Sequence, residues 1–75
     1  MTINELGAKL SEMYNNARAG EAVAMIHLFG IKFADEINRN SKKEIILKSG
    51  IPISYLTELT KGVKLAEYVT PINKN

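Results

Sequence analysis

Cysteine is absent from this chain of 75 residues, which excludes disulfides, thiolate metal sites and a cysteine nucleophile. A chain this short without bridges points to a reducing compartment, and the cytoplasm is the expected location. No apolar run approaches the roughly 20 residues that span a bilayer, and the N-terminus lacks the basic-then-apolar order of a signal peptide, so no membrane role is expected. There is one histidine, no glycine-rich phosphate loop and no metal-ligand spacing. An enzyme, a cofactor and a small-molecule substrate are therefore not expected.

What charge there is has an uneven distribution. The formal net charge is only +2. Residues 1 to 41 carry four cations against five acids, and residues 42 to 64 carry Lys42, Lys43, Lys48, Lys61 and Lys64 against Glu44 and Glu58. The positive excess thus sits in one short segment, as a phosphate-binding surface requires.

That segment, residues 41 to 62, reads as two short helices joined by a tight turn. Ser41 with Glu44 three residues later is a capping box that starts a helix at Lys42. Gly50 supplies a left-handed residue that ends it, and Pro52 forbids uninterrupted continuation. Ile53 or Ser54 restarts the chain as a helix, and Gly62 is expected to stop it. In the first of these helices Ile45, Ile46 and Ser49 turn to one side, Ser49 being small enough for a close crossing. Lys42 and Lys43 occupy a first turn where the helix dipole disfavours cations, a placement that phosphate contact would explain. At 100° per residue, Leu56 and Leu59 of the second helix point one way while Ser54, Thr57, Glu58 and Lys61 point the other. Hydroxyls beside one acid and one base suit hydrogen bonding to base edges in a major groove, although Glu58 also repels phosphate.

The rest of the chain reads as helical support. Thr2 and Glu5 form a second capping box, followed by Ile3, Leu6, Leu10, Met13 and Ala17 at spacings of three and four, a helix over about residues 3 to 18. Gly7 lies beside that stripe, where another helix could approach. Residues 21 to 38 read as one further helix, apolar nearly all round in its first half; Gly30 is a candidate break, and a strand over 23 to 29 is the alternative for so short an apolar run. The surplus apolar surface at Met25, Leu28 and Phe29 is the expected homodimer contact. His27, alone among residues that could assist it, reads as a hydrogen-bonded core or interface histidine. Beyond Gly62 the alternatives are a short strand or a final helical turn halted before Pro71, with preference for a helical or irregular segment. Residues 1 to 72 are expected to form one all-α domain of four to five helices, with residues 73 to 75 a disordered tail.

The stretch Gly50-Ile51-Pro52-Ile53-Ser54-Tyr55-Leu56-Thr57-Glu58-Leu59-Thr60-Lys61-Gly62 resembles the turn and recognition helix of the Cro/repressor-type (Xre-like) helix-turn-helix family. The likeness covers about 21 residues, and it implies double-stranded DNA as the partner of a small bacterial or phage-type transcriptional regulator acting as a homodimer. Ser54, Thr57, Glu58 and Lys61 match base-reading positions; Ser41, Lys42 and Lys43 match the helix start that touches the phosphate backbone, with Tyr55 and Lys64 assigned alongside them. Ile46 stands where that family usually has a small residue and Ser49 where it has an apolar one, and both bear on how the helices cross. The whole chain also resembles small bacterial helix-turn-helix-like domains, which implies a fold and no specific target. The alternative reading is a protein-interaction adaptor that keeps the fold without binding DNA.

Overall fold

The computed structural model describes residues 1–72, so the tail expected over residues 73–75 lies outside the described residues. The elements are α1 (Ile3–Asn15), α2 (Ala22–Lys32), α3 (Ala34–Asn38), α4 (Lys42–Ser49), a 3-10 turn (Ile53–Tyr55) and α5 (Leu56–Leu65). No strand occurs among the described residues. Both strand alternatives, at 23–29 and at 63–69, are thereby removed.

Local chemistry sets the ends as the sequence indicates. At α1 the box is complete: the Thr2 hydroxyl accepts from the Glu5 N–H at 3.1 Å, and the Thr2 N–H donates to Glu5 Oε1 at 2.8 Å. At α4 only the serine's half is formed, with Ser41 Oγ accepting from the Glu44 N–H at 3.3 Å. Gly50 closes α4 in the left-handed region at φ 79°, a backbone conformation that is strained for a residue with a Cβ. Pro52, at φ −57°, presents its carbonyl to the Tyr55 N–H at 3.0 Å and opens the 3-10 turn.

Each helix sends fully buried side chains to one core: Leu6 and Leu10 from α1, Ile26 and Phe29 from α2, Ile37 from α3, Ile45 and Ile46 from α4, and Leu59 from α5. The main contacts pair α2 with α5 and α1 with α4, with α1 also against α2. Ile46 and Ser49, the two residues outside the recognised pattern, fit without strain. Ile46 is fully buried, and the Ser49 hydroxyl donates to the Ile46 carbonyl at 2.6 Å while accepting from the Ile51 N–H at 3.2 Å. Ser49 thus satisfies the turn's backbone inside an apolar core.

Four expectations are corrected. The single helix over 21–38 is two, because Phe33 leaves helical geometry at φ −115°, ψ 24°. The hydrogen bonds from Phe33 to Phe29 and from Ile37 to Phe33 persist across the break, so it is a bend. It lets Phe33 pack on Phe29, ring centroids 5.3 Å apart, and turns α3 against both α4 and α5. A straight helix of this length would run about 27 Å, nearly the full extent of a molecule 29 × 28 × 23 Å. Second, α1 ends at Asn15, short of 18. Third, Gly62 does not stop α5, which continues to Leu65. Fourth, Gly30 is no break.

The two glycines instead face each other where α2 crosses α5. A Cβ on Gly30 would lie 2.8 Å from the Gly62 carbonyl carbon, and one on Gly62 would lie 2.7 Å from the His27 carbonyl oxygen. Both neighbours are backbone, which cannot swing aside. Gly7 plays the same part where α1 meets α4, its would-be Cβ 2.7 Å from Lys48 Cβ, as its place beside the α1 stripe suggests.

Gly62→Ala is expected to destabilise the fold by about 2 kcal/mol or more through overpacking, lowering the thermal midpoint by roughly 10 °C. Thr57→Ala, on the exposed side of the same helix, serves as the control. Equal midpoints for the two variants would refute the close crossing.

Candidate functional site

With Leu59, Gly62 and Val63 buried, the opposite side of α5 and its leading turn presents Ser54, Thr57, Lys61 and Lys64, all exposed. At 100° per residue these four share one stripe, and continuation of the helix through Gly62 is what brings Lys64 onto it. Three of the four expected base-reading residues, Ser54, Thr57 and Lys61, are therefore presented together.

Glu58 is not among them. It lies on the flank of α5 beside Gly62, and its carboxylate turns to α2, where Oε1 sits 2.7 Å from His27 Nε2. Oε2 lies 3.6 Å from Lys61 Nζ. Both side chains of the His27–Glu58 pair are about three-quarters buried, at 28% and 26% exposure. The hydrogen bond from His27 holds the Glu58 carboxyl below the ordinary glutamate value; partial burial opposes this and the Lys61 charge assists it. An ionised carboxylate only accepts, so Nε2 carries the hydrogen. His27 is thus the hydrogen-bonded histidine expected, but its partner lies 31 residues away, at a position that helical projection puts on the outer face.

The expected phosphate-contact residues differ in their surroundings. Lys43 is exposed and makes no ion pair among the described residues, as does Lys48 one turn further on. Lys64 pairs with Glu67 at 3.1 Å, both ends more than half exposed, a contact that solvent screens and a phosphate can displace. Lys42 is half-buried, and with Lys64 it lines a groove of about 310 Å³ between α3, α4 and α5 that also contains Asp35 and Glu67. Two acids there offset the two lysines, so this groove is no phosphate cradle. Ser41 has its hydroxyl engaged in the α4 cap. The Tyr55 ring is half-buried and packs on Tyr14 of α1 with centroids 5.6 Å apart, tying the turn to the scaffold.

The expected dimer patch is corrected in one residue. Phe29 is fully buried in the core and has no surface to offer a second subunit. Met25 and Leu28 remain partly exposed. Larger exposed apolar residues lie elsewhere: Leu47 on α4 at 57%, and Leu65, Tyr68, Val69 and Ile72 at the end of the described chain, Tyr68 at 74% and Ile72 at 82%. The chain from Leu65 keeps a helical turn, with the Val69 N–H donating to the Leu65 carbonyl at 3.0 Å. Among the described residues no three His, Asp or Glu converge as a metal set, and no helix is long and apolar enough to cross a membrane.

Because the folded chain holds the Glu58 carboxyl below its ordinary value of 4.5, Glu58 contributes stability that is fully present above that value and lost as pH falls through the lowered one. The groups facing it are His27 from α2 and Lys61 from α5. Wild type should exceed Glu58→Gln in urea midpoint at neutral pH, with the gap closing in acid. A gap of constant size across that range would contradict the acidified carboxyl.

Residues 2–72 match the family described as an HTH-like domain. None of the curated proteins and none of the solved structures matches the chain.

Proposed function

From the premise that the chain belongs to the HTH-like domain family, we propose that it is a sequence-specific DNA-binding protein, a small transcriptional regulator that reads the major groove with α5. The observation that carries this reading is the exposed stripe Ser54, Thr57, Lys61 and Lys64, hydroxyls and lysines without a carboxylate in the row. Hydroxyls serve either base edges or phosphates, and lysines serve guanine or phosphate. Lys43 and Lys48 on α4 add backbone contacts. The likeness of residues 50–62 to the Cro/repressor type supports that branch of helix-turn-helix proteins.

One such motif makes too few contacts for tight specific binding. The functional unit in this reading is a homodimer whose two α5 helices enter successive major grooves about 34 Å apart. Met25 and Leu28, the partly exposed remainder of the α2 patch, are the residues assigned to the contact.

A second reading, an interaction adaptor with the fold but not the DNA role, is favoured by the exposed Leu47, Tyr68 and Ile72. DNA affinity measured against salt separates the two. A DNA-binding chain loses about 0.9 log units of affinity per phosphate neutralised for each tenfold rise in salt. Lys43→Glu with Lys61→Glu should abolish retention of a labelled duplex on a shift gel, whereas Lys9→Glu, on α1 and paired with Glu12, should leave it intact. Equal retention by both variants would favour the adaptor.

A further inference from the structure

We propose that His27 is a positioning residue for the DNA-facing surface: its imidazole holds the Glu58 carboxylate against α2 and so keeps the one carboxylate of α5 out of the reading stripe. This rests on the DNA-binding role proposed above and extends it to a residue on a helix that does not itself face the groove.

The geometry gives Glu58 two places to go. Ser54 lies four residues before it and Lys61 three residues after, so an unrestrained Glu58 side chain reaches the surface they share. There it would repel phosphate and draw Lys61 into a closer ion pair, removing one of the stripe's cations. In the structure the carboxylate is turned toward α2: Oε1 is 2.7 Å from His27 Nε2, and the ion pair of Oε2 with Lys61 Nζ is no closer than 3.6 Å. Lys61 is left 61% exposed.

The imidazole can do this because its backbone is fixed. The floor beneath Gly62 is the His27 main chain, close enough that a methyl group on Gly62 would meet the His27 carbonyl oxygen at 2.7 Å. Glu58 is one helical turn before Gly62 on the same flank, so the crossing that seats Gly62 on His27 also brings the Glu58 carboxylate to the imidazole. A surface glutamate with a lysine at i+3 ordinarily gains little from that lysine and moves freely between rotamers. A short, partly desolvated bond to an imidazole N–H is the stronger claim on it.

The test is fluorescence anisotropy with a labelled mixed-sequence DNA duplex, titrated over a range of salt, on wild type, His27→Leu, His27→Gln, Glu58→Gln and the His27→Leu/Glu58→Gln double variant. Thermal midpoints are recorded in parallel so that binding is compared only on folded protein. His27→Leu should weaken binding about fivefold and lower the salt slope by about 0.9, the loss of one phosphate contact. His27→Gln keeps an N–H donor and should bind as wild type does. Glu58→Gln alone should stay within about twofold of wild type, and in the His27→Leu background it should restore both affinity and slope, a coupling read as a double-mutant cycle. A purely structural His27 would move the midpoint and leave the slope alone. A folded His27→Leu protein with wild-type affinity, or a Glu58→Gln protein binding tenfold tighter than wild type, overturns the proposal. Wild-type protein without salt-dependent DNA affinity overturns the DNA-binding reading and this inference with it.

Discussion

Where α2 crosses α5 the two backbones meet without side chains between them, at Gly30 and Gly62, and the rest of the molecule is arranged around that contact. Each mid-helix glycine costs about 1 kcal/mol relative to alanine in helix propensity. What offsets the cost is proximity. Ile26 and Phe29 on α2 and Leu59 on α5, close in sequence to the two glycines, are fully buried, and close packing of this kind is what stabilises so small a domain. The crossing also determines which way α5 is rolled about its axis. With Gly62 seated on His27, the side carrying Ser54, Thr57, Lys61 and Lys64 has no alternative to solvent.

The same contact explains why Glu58 behaves differently from its neighbours. By position alone it belongs with Ser54 and Lys61, and a projection of residues 54 to 61 places it there. The projection treats the outward face as a half-cylinder, but the core side of α5 is not centred between Leu56 and Leu59. Once Gly62 and Val63 join the buried set, the axis of burial rotates, Glu58 moves to the flank and Lys64 enters the face. One turn of helix, extended past a glycine read as a stop, accounts for both changes.

Features governed by neighbours within four residues were legible in the sequence. The Thr2–Glu5 box, the Ser41 cap, the left-handed Gly50 and the turn at Pro52 all depend on local hydrogen bonding and steric exclusion, and each stands where the residues indicate. So does the burial of Ile45, Ile46 and Ser49 on one side of α4. Features that depend on distant partners were not legible. Gly30 and Gly62 carry the same side chain as a helix stop or a break, and only the folding back of the chain between them distinguishes a close crossing from a terminus. Residues 22 to 31 are apolar all round, which suggests a surface for Phe29; α1 and α5 cover more of that circumference than a single amphipathic face requires. The bend at Phe33 has no glycine or proline to announce it, since an aromatic residue that needs to reach the core is sufficient cause. His27 was recognisable as a residue needing a partner, but nothing local names Glu58.

The division of α5 and the chain after it also bears on how stability and binding are connected. The exposed side is polar and basic as far as Lys64; Leu65 then closes α5, and Tyr68, Val69 and Ile72 follow it, all four exposed. Scattered exposed apolar residues are ordinary; four large ones within eight residues are a dense apolar patch by comparison. In a domain of this size, folding leaves roughly 40% of the chain's surface in water, so the free energy gained by covering such a patch is a large fraction of the total. Whatever covers it binds the folded chain and not the unfolded one, and it therefore stabilises the fold by mass action. Of the four patch residues only Leu65 belongs to α5, the helix that bears Lys61 and Lys64; the others follow its end, so cover there would act beside that helix, whose orientation the glycine crossing has already set.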